Sequence, residues 1–124
     1  MANWLEIHNN ISFLIAILIA GFIFFLSSIP SSSFPSELGI IPKLYHIVIF
    51  FMLTFFLLIA LVQGKTKYKY FILTTLLIVI AYAITDELHQ LFVLGRHTAI
   101  SDVLIDSIGI FCAGVLYSLK LKEK

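Results

Sequence analysis

Between Ile11 and Ile29 the chain carries no charged residue, and that run alone is long enough to cross a hydrocarbon core. A membrane-spanning helix needs about 20 mainly apolar residues. Three more apolar runs follow, from Lys43 to Val62, from Tyr70 to Phe92 and from Ser101 to Leu119. Backbone groups in lipid find no water, so such runs bond internally as helices. The expected fold is all-α, a polytopic membrane protein with a bundle of four transmembrane helices at about residues 11–29, 43–62, 70–92 and 101–119. Composition agrees: 12% of residues are charged and the mean hydropathy is +1.07, whereas soluble domains are about 25% charged. Residues 1–124 read as one domain, with no linker or repeat.

The Met1–Asn10 lead has no lysine or arginine, and the run behind it exceeds the roughly 7–15 residues of a signal-peptide core. The first helix is therefore expected to be retained. Serines and prolines from Ser27 to Pro35 end it in a turn-rich loop reaching Pro42, which suits the start of the second helix. Gly64 to Lys69 is a compact basic loop, and Gly95 breaks the chain before the last helix. With four spans, the amino terminus, the basic loop and the tail share one side. That side holds six of the eight basic residues, Lys65, Lys67, Lys69, Lys120, Lys122 and Lys124. The positive-inside rule makes it cytoplasmic, in a bacterial plasma membrane on the reading below, with both termini inside.

Against this background the segment from Asp86 to Asp106 stands out. It holds four of the seven acidic residues, two of the four histidines and the only arginine. Ionisable groups within membrane segments are functional-site candidates because charge is costly there. At 1.5 Å per residue, Asp86 and His46 each lie about 24 Å from the cytoplasmic ends of their helices, Asp102 about 26 Å and Asp106 about 20 Å. Three helices thus bring ionisable groups to one level in the outer third of the core.

Spacing places Lys43 with His46, Asp86 with His89 and Gln90, and Asp102 with Asp106 on shared helix faces. Glu87 and His89 lie about 160° apart around their helix, so both cannot face inward. Asp86, Glu87 and Gln90 are expected to face the bundle and His89 the interface. A salt-bridge network of Asp102 and Asp106 with Arg96, Lys43 or His46, serving only helix packing, is the structural rival. Cys112, the single cysteine, reads as a small buried hydrophobe. Gly109 and Ala113, four residues apart, read as ordinary packing within the bundle.

Ser27-Ser28-Ile29-Pro30 after the first helix, Lys43-Leu44-Tyr45-His46 opening the second, Asp86-Glu87-Leu88-His89-Gln90 closing the third, then Arg96, Asp102 and Asp106, resemble the VanZ-like membrane proteins. The resemblance covers roughly Phe24 to Leu119. Two positions depart from the family pattern. Pro42 stands where an acid often precedes the lysine, and Asp106 stands where asparagine is common. The resemblance implies a bacterial cell-envelope role, and the namesake is linked to resistance to the glycopeptide teicoplanin. It supplies no established reaction.

The residues then suggest a protein that binds or processes an anionic, lipid-linked envelope substrate at the outer leaflet. Lys43 and Arg96 would hold a phosphate. Asp86 or Glu87 would act as general acid or base, with His46 as the alternative proton carrier and Asp102 beside them. Gln90 and Asp106 would bind and orient substrate. The Arg96-x5-Asp102-x3-Asp106 spacing also echoes part of the type-2 phosphatidic acid phosphatases, with Asp102 in place of the nucleophilic histidine. A metal site is a further alternative, since Asp86, His89, His46, Asp102 and Asp106 include oxygen and nitrogen ligands. No compact metal signature occurs, and neither metal nor cofactor is part of the favoured reading. The lysines form two short clusters beside apolar runs, which excludes a nucleic-acid footprint. The expected partners are membrane lipids, an anionic lipid-linked precursor or glycopeptide, and in one reading a second copy of the chain. The contrasting class is a non-enzymatic binding or accessory protein.

Overall fold

A computed structural model of the chain describes Trp4 and residues 7–29, 41–62, 68–93 and 100–122. The described residues form four helices and no strand: α1 (Asn9–Ser27), α2 (Ile41–Val62), α3 (Tyr68–Gln90) and α4 (Ile100–Lys122). Each is long and apolar enough to cross a membrane. Their ends fall within three residues of the bounds expected from hydropathy. The serine- and proline-rich connection from 30 to 40, the basic loop at 63–67 and the last two residues lie outside the described residues. So does 94–99, with Gly95, Arg96 and His97.

α2 is the hub of the bundle. It packs on α4 most extensively and also on α1 and α3, while α3 packs on α4. Each helix turns one stripe inward. On α1 the stripe is Ser12, Ala16, Ile23 and Ser27; on α3 it is Thr75, Val79, Ala83, Asp86, Glu87 and Gln90. On α4 it is Asp106, Gly109, Ile110, Ala113 and Tyr117. These steps of three and four residues are those of one helical face. Ala16, Ile23, Phe50, Leu53, Val79, Ala83 and Ile110 close the central core, and Leu58, Ile59, Val62 and Tyr117 close the end away from the acids.

The outer surface is apolar as well. Phe13, Leu18, Phe25, Leu73, Leu104 and Val115 all stand exposed, as a lipid-facing surface requires. Cys112 belongs to this outer surface, which corrects the expectation that it is buried. In a membrane helix both faces are apolar, so cysteine on either is equally comfortable. Hydroxyls inside the helices are satisfied locally: Thr54 donates to the Phe50 carbonyl, Thr75 to Phe71, Ser107 to Val103 and Ser118 to Gly114. Bonding back by four residues spares the bundle an unpaired donor.

The α2–α4 seam holds a close backbone approach. A Cβ added at Gly109 would collide with the Ile47 carbonyl oxygen and come within 3.1 Å of the Phe51 amide nitrogen. Gly109 and Ala113 thus serve packing within the chain. The contact also has a consequence for the polar end, because Gly109 lies one turn beyond Asp106 and Ile47 adjoins His46.

Candidate functional site

The inward stripes change character at one end of the bundle. α3 runs from Val79 and Ala83 to Asp86, Glu87 and Gln90; α4 runs back from Ile110 to Asp106; α2 runs back from Phe50 to His46. Asp86 is 2% exposed, Glu87 3%, Gln90 4% and Asp106 0%, so acids occupy core positions rather than a wet rim. This is the face that helical geometry assigns to Asp86, Glu87 and Gln90.

His46 and Asp106 meet across the α2–α4 seam, Nδ1 to Oδ1 at 2.9 Å. With Asp106 ionised, Nδ1–H donates to it and Nε2 is left to take up or release a proton. Phe50 stacks on the His46 ring at 6.3 Å and Tyr45 meets it edge-on at 5.4 Å. The ring is thus held by one hydrogen bond and two aromatic contacts. A base fixed by a carboxylate on its far nitrogen is the arrangement from which general-base and nucleophile-activating sites are built.

Asp86 has a different setting. Gln90 Nε2 donates to its Oδ2 at 3.3 Å and to Ser27 Oγ at 3.4 Å, so the amide bridges the carboxylate and Ser27. Just outside, Ser28 donates to the Phe24 carbonyl at 2.9 Å and accepts from His89 Nε2, also at 2.9 Å. His89 stacks on Phe24 with ring centroids 4.4 Å apart. It therefore sits toward α1 at the margin of the site, as its angle from Glu87 implies.

Glu87 lies within electrostatic reach of Asp102, Asp106, Asp86 and His46. Asp102 is half-buried and Lys43 is exposed. The site therefore gathers His46, Asp86, Glu87, Gln90, Asp102 and Asp106, with Lys43 on the surface at the same end of α2. Arg96 lies outside the described residues. Among the described residues no group of three or more His, Cys, Asp or Glu could hold a metal ion.

Four residues to which the sequence reading assigned no role in the site take part, three of them within the segments that carry the family resemblance. Ser27 and Ser28 bring α1, which has no charge, into the site. Ser27 falls four residues after Ile23 on the α1 stripe, a spacing that could have found it. Tyr45 and Tyr82 are electrostatically coupled to Asp86. Tyr82 also donates its hydroxyl to the Ala20 carbonyl, tying α3 to α1.

Four apolar helices with ionisable groups converging at one end define a small multi-pass membrane protein with a polar end-site. The family model described as VanZ/LLP1 matches residues 12–121, and the chain belongs to that family. No curated protein and no solved structure matches it.

Proposed function

We propose that this is a bacterial cell-envelope protein that binds, and through His46 and Glu87 processes, an anionic lipid-linked substrate at the extracytoplasmic end of its bundle. One observation carries the reading: α3 and α4 place acids on core positions and α2 sets the half-buried His46 against one of them, where burial of such groups is costly without a function. The positive-inside rule supports the orientation, since Lys69 and Lys120 lie at the end opposite the acids. Both termini are then cytoplasmic, and a reporter enzyme active only outside the cell gives no signal when fused to either.

Lys43 stands at the surface where a phosphate would arrive, with Arg96 following α3 in the chain. Lys43→Ala is expected to weaken binding of phosphatidylglycerol about fivefold without changing stability, in lipid titrations of the purified protein. Glu87 supplies a carboxyl group among other acids, suited to proton exchange with substrate. Glu87→Gln is expected to lower turnover of an envelope lipid by about a hundredfold or more, with membrane expression unchanged. Retained turnover removes Glu87 from the chemistry. Teicoplanin resistance follows from family membership as a trait to test, by expression in a sensitive bacterial host and measurement of the inhibitory concentration.

The second reading is a non-enzymatic binding or accessory protein whose polar cluster is structural. The His46–Asp106 bond favours it, because a buried pair across a helix seam also fixes register. Saturable lipid binding without turnover selects the binding protein.

A further inference from the structure

Among the described residues, the buried end of the site holds several polar oxygens without a hydrogen-bond partner. Asp86 Oδ1, Asp106 Oδ2 and the Tyr45 hydroxyl oxygen are all buried, and none has a hydrogen-bond partner among the described residues. They come from α3, α4 and α2. The two aspartates are 2% and 0% exposed, and Tyr45 meets edge-on, at 5.4 Å, the His46 ring that Asp106 holds. In each aspartate the other oxygen is already engaged, Oδ2 of Asp86 by Gln90 and Oδ1 of Asp106 by His46. Each open oxygen is thus held in a fixed direction by the bond its twin makes.

An acceptor buried without a donor costs about 1–3 kcal/mol. Three of them, beside a cluster of four acidic side chains, suit a ligand that donates hydrogen and carries positive charge. A phosphate meets neither need, since it is itself an acceptor and an anion. A primary ammonium group meets both, with three N–H donors on one atom. A trimethylammonium group has the charge but no donors.

We propose that Asp86, Asp106 and Tyr45 form a subsite for the primary ammonium group of a lipid headgroup. This rests on the proposed lipid-binding function and alters its substrate class: the phosphate is kept, but the headgroup also carries an amine and is zwitterionic rather than net anionic. The phosphate stays toward Lys43 at the surface and the amine enters among the acids. A lipid is the source that fits the placement, because the site lies between the ends of helices whose outer faces are apolar.

Native mass spectrometry of the full chain, exchanged from detergent into each lipid, tests this. Phosphatidylethanolamine is expected to bind about tenfold tighter than phosphatidylcholine with the same acyl chains. Asp86→Asn and Asp106→Asn should bring that ratio to within about twofold. Tyr45→Phe should lower it severalfold while leaving the His46–Asp106 bond intact, so the test survives if an aspartate variant fails to fold. Equal binding of the two lipids, or a preference that persists in all three variants, overturns the subsite. Binding of free phosphoethanolamine as tight as that of the lipid overturns the lipid as its source. If phosphatidylglycerol binds best and Lys43→Ala weakens it, the subsite is overturned while the anionic-lipid reading stands. If no lipid is preferred and Lys43→Ala changes nothing, both are overturned.

Discussion

Gly109→Leu is expected to prevent assembly of the bundle, and Gly109→Ala to lower its stability by about 1–3 kcal/mol. The first added carbon would already collide with the Ile47 carbonyl oxygen and crowd the Phe51 amide, and helix backbone cannot step aside as a side chain can. Lipid tails are as apolar as the core, so membrane helices associate through close packing rather than hydrophobic exclusion. Separating α2 from α4 removes that packing and stretches the His46–Asp106 bond one turn away. The other helical glycines supply controls. At Gly114 a Cβ would meet only the Leu76 side chain, at 3.2 Å and 3.3 Å, and at Gly21 it would meet nothing within 4 Å. Gly114→Ala and Gly21→Ala are therefore expected to unfold in detergent within about 1 kcal/mol of the parent. Thermal melts of the three alanine variants check the order.

The second large effect concerns the buried pair. Asp106→Leu takes the acceptor from His46 Nδ1 and is expected to destabilise the protein by about 2 kcal/mol. The His46 side chain keeps 22% exposure, which lets solvent relieve part of the loss. Adding His46→Leu removes the stranded donor as well, and the double variant should recover to within about 1 kcal/mol of the parent. Pairs replaced by apolar groups of similar size often behave this way. The parent, both single variants and the double form a thermodynamic cycle, measured by unfolding in detergent.

Much of this was legible in the sequence because lipid leaves a chain few options. Uncharged runs of the right length become helices, and 100° per residue shows that Glu87 and His89 cannot both face inward, which left Asp86, Glu87 and Gln90 as the favoured inward set. The pairing of His46 with Asp106 was less legible. Three cations were available to the acids, and only the approach permitted by Gly109 brings α4 against His46. The role of α1 was faint, since Ser27 and Ser28 look like the end of a helix, and only the family resemblance and the four-residue step from Ile23 to Ser27 pointed to it. Cys112 was misplaced for a general reason: hydropathy separates core from water, whereas here it must separate core from lipid.

The central claim is that the acids and His46 at this end of the bundle form a binding site, not a packing device. Lipid titration of the His46→Leu/Asp106→Leu variant, once its stability is known to match the parent, tests that claim most directly. The expected result is a folded protein whose lipid affinity has fallen at least about tenfold. Parent-level affinity in that variant would contradict the claim and leave His46 and Asp106 as a means of holding two helices together.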